Sequence, residues 1–297
     1  MSRTGAATAT AVAVENGSRG ARSARLVGVI HLPPLPGSPR HGRHGCPSSW
    51  EDLAARVQAD AACLATAGFD GMMVENFGDA PFYPGRVPAV TVAAVTRCAL
   101  VAREAAPGLA LGINVLRNDV AAALAVAAAV GDVAMVRCNV HVGARVTDQG
   151  VVEGQAHETL RRRRRLGVEA TALWCDVDVK HSRPLGEQPL SREAQTRETV
   201  GRGLADAVLV TGNATGAPPD AEDVAEVVRA AGNASVYIAS GVAPEDLFAT
   251  FNRRDDEGRG VHGVVVGSWL RADARAGGPI DLTRAKRFAE AFRRAKP

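Results

Sequence analysis

Short runs of valine, isoleucine and leucine alternate along the chain with longer amphipathic segments, and the pair recurs about every 30 to 40 residues. This alternation is typical of a parallel sheet whose strands are joined by helices. The predicted strands are 26–31, 71–75, 110–115, 133–138, 170–177, 207–210, 235–239 and 263–266. The predicted helices are 50–67, 87–105, 119–130, 155–166, 191–203, 219–231, 244–252 and 282–294. Only a few α/β architectures accommodate so many consecutive strand–helix units.

The number of units decides between those architectures. An open doubly wound sheet usually stops at about five or six strands, whereas eight units close a (β/α)8 TIM barrel. The loop after the first strand, HLPPLPGSPRHG, is interrupted by prolines and lacks the glycine fingerprint of a dinucleotide-binding fold. No linker rich in Pro, Gly or Ser interrupts the rest of the chain. We therefore predict one barrel domain over residues 24–297, preceded by a disordered tail over residues 1–23.

Composition and charge argue against several classes of partner. The net charge is +3 on a chain with 35 Lys and Arg and 32 Asp and Glu, which is no basis for nucleic-acid binding. The basic run 161–165 is most simply the solvated end of a helix. No apolar stretch approaches the about 20 residues of a membrane-spanning helix, and residues 1–23 lack a signal-peptide core. Five cysteines without CxxC spacing indicate a reducing compartment and no zinc site. We predict a cytoplasmic protein without membrane insertion.

Nearly every predicted strand ends in polar residues, and in a barrel these ends meet at one mouth. In strand order they are His31, Glu75, Asn76, Asn114, Arg117, Arg137, Asn139, His141, Asp176, Asp178, Lys180, His181, Thr211, Gly212, Asn213, Ser240, Gly241, Gly267 and Ser268. Any one of them is as well explained by a hydrogen bond within its own loop. Burying all of them in one cavity would be costly without a ligand or a network that satisfies them, so the set predicts a substrate site.

Short glycine-containing turns follow the last three predicted strands. Barrels of this kind often bind a substrate phosphate there, through backbone amides and a helix N-terminus. The predicted phosphate ligands are Gly212, Ser240, Gly241, Gly267 and Ser268. Ordinary strand–helix turns are the alternative.

The connection after the fourth strand, residues 139–155, is long for a loop of this type. Loops longer than about 12 residues are often lids or binding loops, and this one would carry Asp148 into the site on closure. A solvated or subunit-contacting excursion is the alternative.

Lys180 is the only lysine before residue 286, in a chain that carries its positive charge on arginine. The period of two in a strand would place Asp176, Asp178 and Lys180 on one face. The amine could act as a Schiff-base nucleophile, as a general acid or base, or as a fixed cation. Two adjacent carboxylates would raise its pKa and favour the cation, unless burial overrides them. A structural ion pair is the alternative.

The same carboxylates raise the question of a metal ion. Asp176 and Asp178 could hold a divalent cation together with Glu75, although no sequence signature demands one. We therefore predict no certain cofactor and no defined metal site.

Four long stretches and four short ones follow a known family pattern. The long ones are GVIHLPPLPGSPRH (28–41), DGMMVENFGDAPF (70–82), VRCNVHVGARVTDQGVVEGQA (136–156) and DVDVKHSRPL (176–185). The short ones are GINVLRND (112–119), VTGNATG (210–216), SGV (240–242) and VGSWLR with GGPID (266–271 and 277–281). Together they resemble the BtpA family. The resemblance implies a TIM barrel of the ribulose-phosphate-binding type.

The resemblance carries a family name but no settled reaction. The family is named for photosystem I biogenesis, yet members occur in organisms without a photosystem, some encoded beside sugar-phosphate genes. The motif residues that stand where the family has them are His31, Glu75, Asn76, Asn114, Arg137, Asn139, Asp148, Asp176, Asp178, Lys180 and His181. Arg271 stands where the family often has lysine, and it should still serve as a cation if this region contacts phosphate.

These observations predict an enzyme that acts on a phosphorylated sugar, nucleotide or nucleoside. The expected catalytic residues are Asp176, Asp178, Lys180, Glu75 and His31. The expected substrate-binding residues are Asn76, Asn114, Arg137, Asn139, His141, Asp148, His181, Thr211 and Asn213. Isomerisation, lyase or aldolase chemistry and glycosidic-bond chemistry all fit such a site. The alternative is a non-catalytic assembly or stability factor of the photosystem I type. Barrels of this type commonly pair, so we also expect a homo-oligomer.

Overall fold

The computed structural model describes residues 24–43, 45–186, 190–212, 218–239 and 241–295. The described strands are β1 (Leu26–His31), β2 (Gly71–Glu75), β3 (Ala110–Asn114), β4 (Met135–Cys138), β5 (Ala144–Thr147), β6 (Gly150–Glu153), β7 (Ala172–Val177), β8 (Ser182–Pro184), β9 (Ala207–Val210), β10 (Ser235–Ile238) and β11 (Gly263–Val266). The predicted tail, Asn213 and Ser240 lie outside the described residues.

Eight parallel strands close into a barrel in the order β1, β11, β10, β9, β7, β4, β3, β2. β1 closes the ring because it pairs with β2 on one side and with β11 on the other. The predicted (β/α)8 barrel is therefore confirmed.

Helices connect the barrel strands and cover them from outside. They are α1 (Trp50–Ala67), α2 (Ala89–Ala105), α3 (Val120–Val130), α4 (Ala156–Arg165), α5 (Arg192–Arg197), α6 (Ala221–Ala230), α7 (Leu247–Asn252) and α8 (Leu282–Ala295). α1 begins after Ser49, whose side chain accepts a hydrogen bond from the Asp52 N–H. Its apolar face repeats at Leu53, Val57 and Leu64, all buried. None of the described helices is long and apolar enough to cross a membrane.

The barrel interior is filled by one face of each strand. Val29, Met73, Trp174 and Tyr237 belong to this inner cluster, and the Trp174 and Tyr237 rings stack with their centroids 4.1 Å apart. Side chains alternate between the two faces, so residues two positions further along each strand also face inward. Above the apolar layer this alternation places polar residues at the carboxyl ends of the strands: His31, Glu75, Asn114, Arg137 and Asp176.

The long connection after β4 contains a β-hairpin, which the sequence analysis did not predict. β5 pairs antiparallel with β6, and β8, which follows β7, adds to the free side of β5. The resulting three-stranded sheet joins the connections after β4 and β7. Each strand has only three or four residues, which is too few for a recognisable alternation in the sequence.

Candidate active site

A buried ion pair lies at the ends of β4 and β7. Arg137 donates from Nε to Asp176 Oδ2 at 3.0 Å and from Nη2 to Oδ1 at 2.8 Å, while Asn139 Nδ2 donates to the same Oδ2 at 2.7 Å. Burial alone would lower the pKa of Arg137, but the Asp176 carboxylate outweighs it and the pKa is raised. Both oxygens of Asp176 are engaged, so this carboxylate holds Arg137 in place and is poorly suited to accept a proton.

Glu75 is the carboxylate with an oxygen to spare. Asn114 Nδ2 donates to its Oε2 at 2.6 Å, and Arg137 Nη1 lies 4.0 Å from the same oxygen. Its Oε1 faces His31 Nε2 at 3.8 Å, which is beyond hydrogen-bond distance. Glu75 is thus oriented by one oxygen and presents the other to the cavity.

Two carboxamides at the mouth offer further acceptors. The side-chain oxygens of Asn114 and Asn139 are buried and have no hydrogen-bond partner within the described residues. A buried acceptor without a partner costs about 1–3 kcal/mol. Asn139 lines the wide cavity, so its oxygen suits a hydroxyl or amide donor of a ligand.

His31 is neutral and has a defined tautomer. The backbone N–H of Gly277 donates to its Nδ1 at 3.2 Å, so the ring proton is on Nε2, on the side of Glu75. Burial lowers the pKa of His31 well below 6.5, and the charges of Arg271 and Lys180 lower it further. Gly267 lies close against the ring, because a Cβ there would be 3.0 Å from His31 Cε1. The ring is fixed as a hydrogen-bond donor.

Lys180 lies partly buried between these groups. It lines the same two cavities as Glu75 and Arg137, and no acceptor in the described part of the chain bonds its amine. Burial lowers the pKa of Lys180, and the positive charge of Arg137 adds to the effect, against the opposite influence of Glu75. Burial therefore overrides the neighbouring carboxylates, and the amine gives up its proton more readily than an ordinary lysine.

The strand ends before Asp178, so the period of two that was predicted to run from Asp176 to Lys180 does not hold beyond Val177. β7 ends at Val177, and Asp178 has a φ of 57°, which turns the chain out of the extended conformation. Its carboxylate pairs with Arg145 and, at 2.8 Å, with Arg192 Nη2. The carboxylate of Asp178 is therefore engaged by two arginines, Arg145 and Arg192.

The three carboxylates considered as possible divalent-cation ligands do not converge. Among the described residues, Glu75, Asp176 and Asp178 form no group whose oxygens come within ligand distance of one another. Asp176 and Asp178 are instead neutralised by arginines from different elements. Asp176 and Asp178 are thus engaged in ion pairs, and Glu75 keeps one oxygen toward the cavity.

Two cavities at the mouth share part of their lining. A wide cavity of about 780 Å³ is lined by Glu75, Arg137, Asp148, Lys180 and His181, among others. A narrow one of about 90 Å³ shares Glu75, Arg137 and Lys180 and adds His31, Gly241, Gly267 and Ser268. Three of the five residues predicted for phosphate, Gly241, Gly267 and Ser268, therefore lie beside residues predicted for chemistry.

The remaining predicted residues have structural partners. Asn76 accepts from the Leu116 N–H at 2.7 Å. Thr211 Oγ1 donates to the Asp178 carbonyl at 3.4 Å, and Gly212 is buried just after β9. His141 lies beside Cys138 and Cys175, outside both mouth cavities. These positions support the mouth more than they line it.

Arg271 does not present its charge to the cavity. Its guanidinium donates to the carbonyls of Gly267 at 2.5 Å, Val29 at 2.9 Å and Gly278 at 3.1 Å. Burial lowers its pKa to about 10. Arg271 thus holds three backbone segments together, and its conditional role as a cation for phosphate stays a prediction.

Three residues at the mouth were not anticipated from the sequence. Arg40 and Arg56 line the wide cavity, and the Phe77 ring packs on His31 with centroids 4.5 Å apart. Phe77 directly follows the predicted site residue Asn76, so its position just after β2 could have identified it as a residue of the mouth. Arg56 lies within α1, where it reads as an ordinary solvent-facing residue.

Solved structures with a similar fold are enzymes by name. Phosphoribosyl anthranilate isomerase from Thermus thermophilus matches with a TM-score of 0.53 and 12% identity, over 91% of this chain and 98% of that one. An archaeal fructose 1,6-bisphosphate aldolase matches with a TM-score of 0.50 and 16% identity, over 94% and 98%. At these identities the likeness concerns the barrel fold alone.

Sequence relatives are much more similar. Photosystem I biogenesis protein BtpA of Synechocystis sp. is 41% identical over 239 residues, which are 80% of this chain and 78% of that protein. An uncharacterized protein of Thermococcus kodakarensis is 40% identical over 231 residues, or 78% of this chain and 82% of the relative. The BtpA family pattern matches residues 22–294. The chain belongs to the BtpA family.

Proposed function

We propose that the protein is an enzyme acting on a phosphorylated sugar or nucleotide, and that Lys180 forms an imine with a substrate carbonyl in a lyase or aldolase reaction. One observation carries the proposal: the single lysine at the barrel mouth has a pKa lowered by burial. A neutral amine is the nucleophilic form, and burial beside another cation is an established means of producing it. We further propose that residues 24–297 form the catalytic domain.

The chemistry follows from the groups around the amine. Lys180 Nζ attacks the carbonyl carbon, and the carbonyl oxygen leaves as water after proton transfer, which gives a protonated imine. Glu75 Oε1 then accepts the proton of the substrate hydroxyl beside the bond that breaks. As the carbon–carbon bond breaks, the deprotonated hydroxyl becomes the carbonyl of the first product, which leaves, and the electron pair of the bond moves into the imine to give an enamine. Protonation of the enamine at carbon and hydrolysis of the resulting imine release the second product and restore the amine.

Three further residues are assigned supporting roles. His31 donates a hydrogen bond from Nε2 to the substrate without carrying charge, because its pKa is far below neutral. Arg137, fixed by Asp176, stabilises negative charge that develops on the substrate oxygen. Asp176 is therefore a positioning residue, and Asp178 supports the hairpin side of the mouth.

A phosphate subsite is proposed in the narrow cavity. Gly241, Gly267 and Ser268 line it at the ends of β10 and β11, where barrels commonly bind phosphate through backbone amides. The wide cavity beside it has room for the remainder of a sugar or nucleotide. The names of the isomerase and the aldolase with similar folds also concern phosphorylated sugars, but the proposal depends on the side chains of this chain.

Ligand binding and imine trapping test the proposal together. Thermal-shift measurements against sugar phosphates and nucleotides should find a compound that raises the melting temperature of the wild type. Borohydride with that compound should add its reduced mass to Lys180, identified by peptide mass spectrometry. Lys180→Arg is the matched control and should bind without being trapped, whereas Glu75→Gln should be trapped but turn over slowly. A wild type that no phosphorylated compound stabilises would remove the support for the enzyme.

The relative from Synechocystis carries a second candidate function, a non-catalytic role in photosystem I biogenesis. Expression of this chain in a Synechocystis strain lacking that relative separates the two. Recovery of photosystem I with both wild type and Lys180→Met favours an assembly role. Recovery with the wild type alone favours chemistry at Lys180.

We also propose a cytoplasmic location and a homo-oligomer. All five cysteines are free thiols, which supports a reducing compartment. Analytical ultracentrifugation of the purified chain measures the oligomeric state directly.

A further inference from the structure

Three potential metal ligands meet at the outer face of the barrel strands β4 and β7. Cys138 at the end of β4 and Cys175 in β7 are directly paired across the two strands. His141 follows Cys138 by three residues. The exposed fractions of Cys138, Cys175 and His141 are 0%, 0% and 2%. Their sulfur and ring-nitrogen atoms all lie within 4.8 Å of one another.

The hydrogen bonding of His141 directs a nitrogen lone pair at the two sulfurs. Its Nε2 lies 2.8 Å from the carbonyl oxygen of Gly203, and since a carbonyl only accepts, Nε2 carries the proton. Nδ1 is then the unprotonated nitrogen, and it is buried without a hydrogen-bond partner within the described residues. Metal-bound histidines almost always donate their other ring N–H to such a carbonyl or to a carboxylate.

Metal binds cysteine as the thiolate, so both thiols would give up their protons when the ion binds.

We propose that Cys138, Cys175 and His141 bind one thiophilic metal ion, Zn²⁺ or Cu⁺. Two thiolates and an imidazole are the ligands these ions prefer. In a tetrahedral zinc site with bonds of about 2.3 Å to sulfur and about 2.0 Å to nitrogen, such ligands lie about 3.5 to 3.8 Å apart. Since the ligand atoms lie within 4.8 Å of one another, each pair needs to close by about 1.3 Å at most.

The number of ligands distinguishes the two ions. No fourth His, Cys, Asp or Glu joins the group in the described part of the chain. A copper(I) ion would be held by the three side chains alone, and zinc would take a water molecule or another exogenous fourth ligand.

The ion would bind on the opposite side of the strands from Arg137 and Asp176. The ion would hold β4 and β7 together behind the Arg137–Asp176 ion pair, on the outer side of the two strands. The inference is therefore independent of the reaction at Lys180. A structural role for the ion is expected, since no residue assigned to chemistry contacts it.

Metal titration of the full chain tests the site. The protein is prepared without oxygen, with reductant and chelator, and is then titrated with Zn²⁺ and separately with Cu⁺ against a competing chromophoric chelator. The expected result is one tightly held ion per chain. Co²⁺ in place of zinc should show thiolate-to-cobalt charge-transfer absorption, which reports the sulfur ligands in the wild type without any variant.

Substitutions then assign the ligands. Cys175→Ser and His141→Asn should each weaken binding by more than the about 10- to 100-fold that losing an outer partner costs. Cys98→Ser, which changes a buried thiol in α2, is the matched control and should bind like the wild type. Circular dichroism establishes that each variant is folded.

Three results would overturn the site. The first is a wild type that holds neither ion at one per chain and shows no cobalt–thiolate absorption. The second is equal metal affinity in wild type and folded Cys175→Ser. The third is a Cys138–Cys175 disulfide that forms in the purified protein even with saturating metal.

Discussion

Asp176→Asn tests the buried ion pair on which the geometry of the mouth depends. The side chains of Arg137 and Asp176 are 5% and 0% exposed, and Asp176 accepts three hydrogen bonds. Asparagine keeps the shape but removes the charge, and it turns an amide N–H₂ toward a donor. Arg137 then remains buried with Glu75, 4.0 Å away, as its nearest carboxylate.

The size of the effect follows from that geometry. Breaking a buried pair by removing one partner costs about 3–5 kcal/mol, and since Glu75 compensates part of the charge we expect about 3 kcal/mol. The unfolding entropy is about 2.1 cal/mol/K per residue near 60 °C, or about 0.6 kcal/mol/K for the barrel. The midpoint of thermal unfolding should therefore fall by about 5 °C.

Differential scanning calorimetry measures this shift, and Asp178→Asn is the matched control. Asp178 also pairs with two arginines, but its side chain is 29% exposed, so its loss should cost about 1 kcal/mol and about 2 °C. Equal shifts in the two variants, or no shift for Asp176→Asn, would refute the assignment of Asp176 as the buried anchor of Arg137.

Two other changes test the histidine and the lysine. Gly267→Ala places a Cβ 3.0 Å from Cε1 of His31, so overpacking should destabilise the barrel by about 1–3 kcal/mol in urea unfolding. Gly108→Ala, where a Cβ meets nothing within 4 Å, should be neutral, and equal effects would contradict the proposed close contact. Lys180→Met removes an amine whose pKa burial lowers from 10.5. Between the lowered pKa and 10.5 the unfolded wild type binds more protons than the native state, so its stability relative to the variant should rise with pH. A relative stability that falls across this window would contradict the lowered pKa.

Much of the barrel was predictable because its strands are short apolar runs with clear ends. The bounds of β1, β2, β9 and β11 coincide with the predicted strands. The alternation of side chains then brought His31, Glu75, Arg137 and Asp176 to one mouth, because strands of one barrel share a direction. The alternation of side chains between the two faces of a strand predicts their direction only where the backbone is extended.

Asp178 marks where that reasoning ends. The positive φ at this residue is a local conformation that no alternation pattern reveals. The three carbonyls that engage Arg271 come from separate segments, so its structural role depends on the closed tertiary structure. Cys138 and Cys175 are distant in sequence and meet only because β4 pairs with β7. Contacts of this kind can be predicted only when the order of the strands in the barrel is known, because the composition does not specify it.

The pKa of the Lys180 amine tests the central claim most directly. The chain contains three lysines, Lys180, Lys286 and Lys296, so NMR of protein labelled with ¹³C at the lysine side chains gives few signals. Lys180→Arg assigns the signal of interest by its disappearance. We predict that the Lys180 signal titrates below 10.5, because burial and the charge of Arg137 disfavour the charged amine. Titration at or above 10.5 would make Lys180 a fixed cation and contradict its role as a nucleophile.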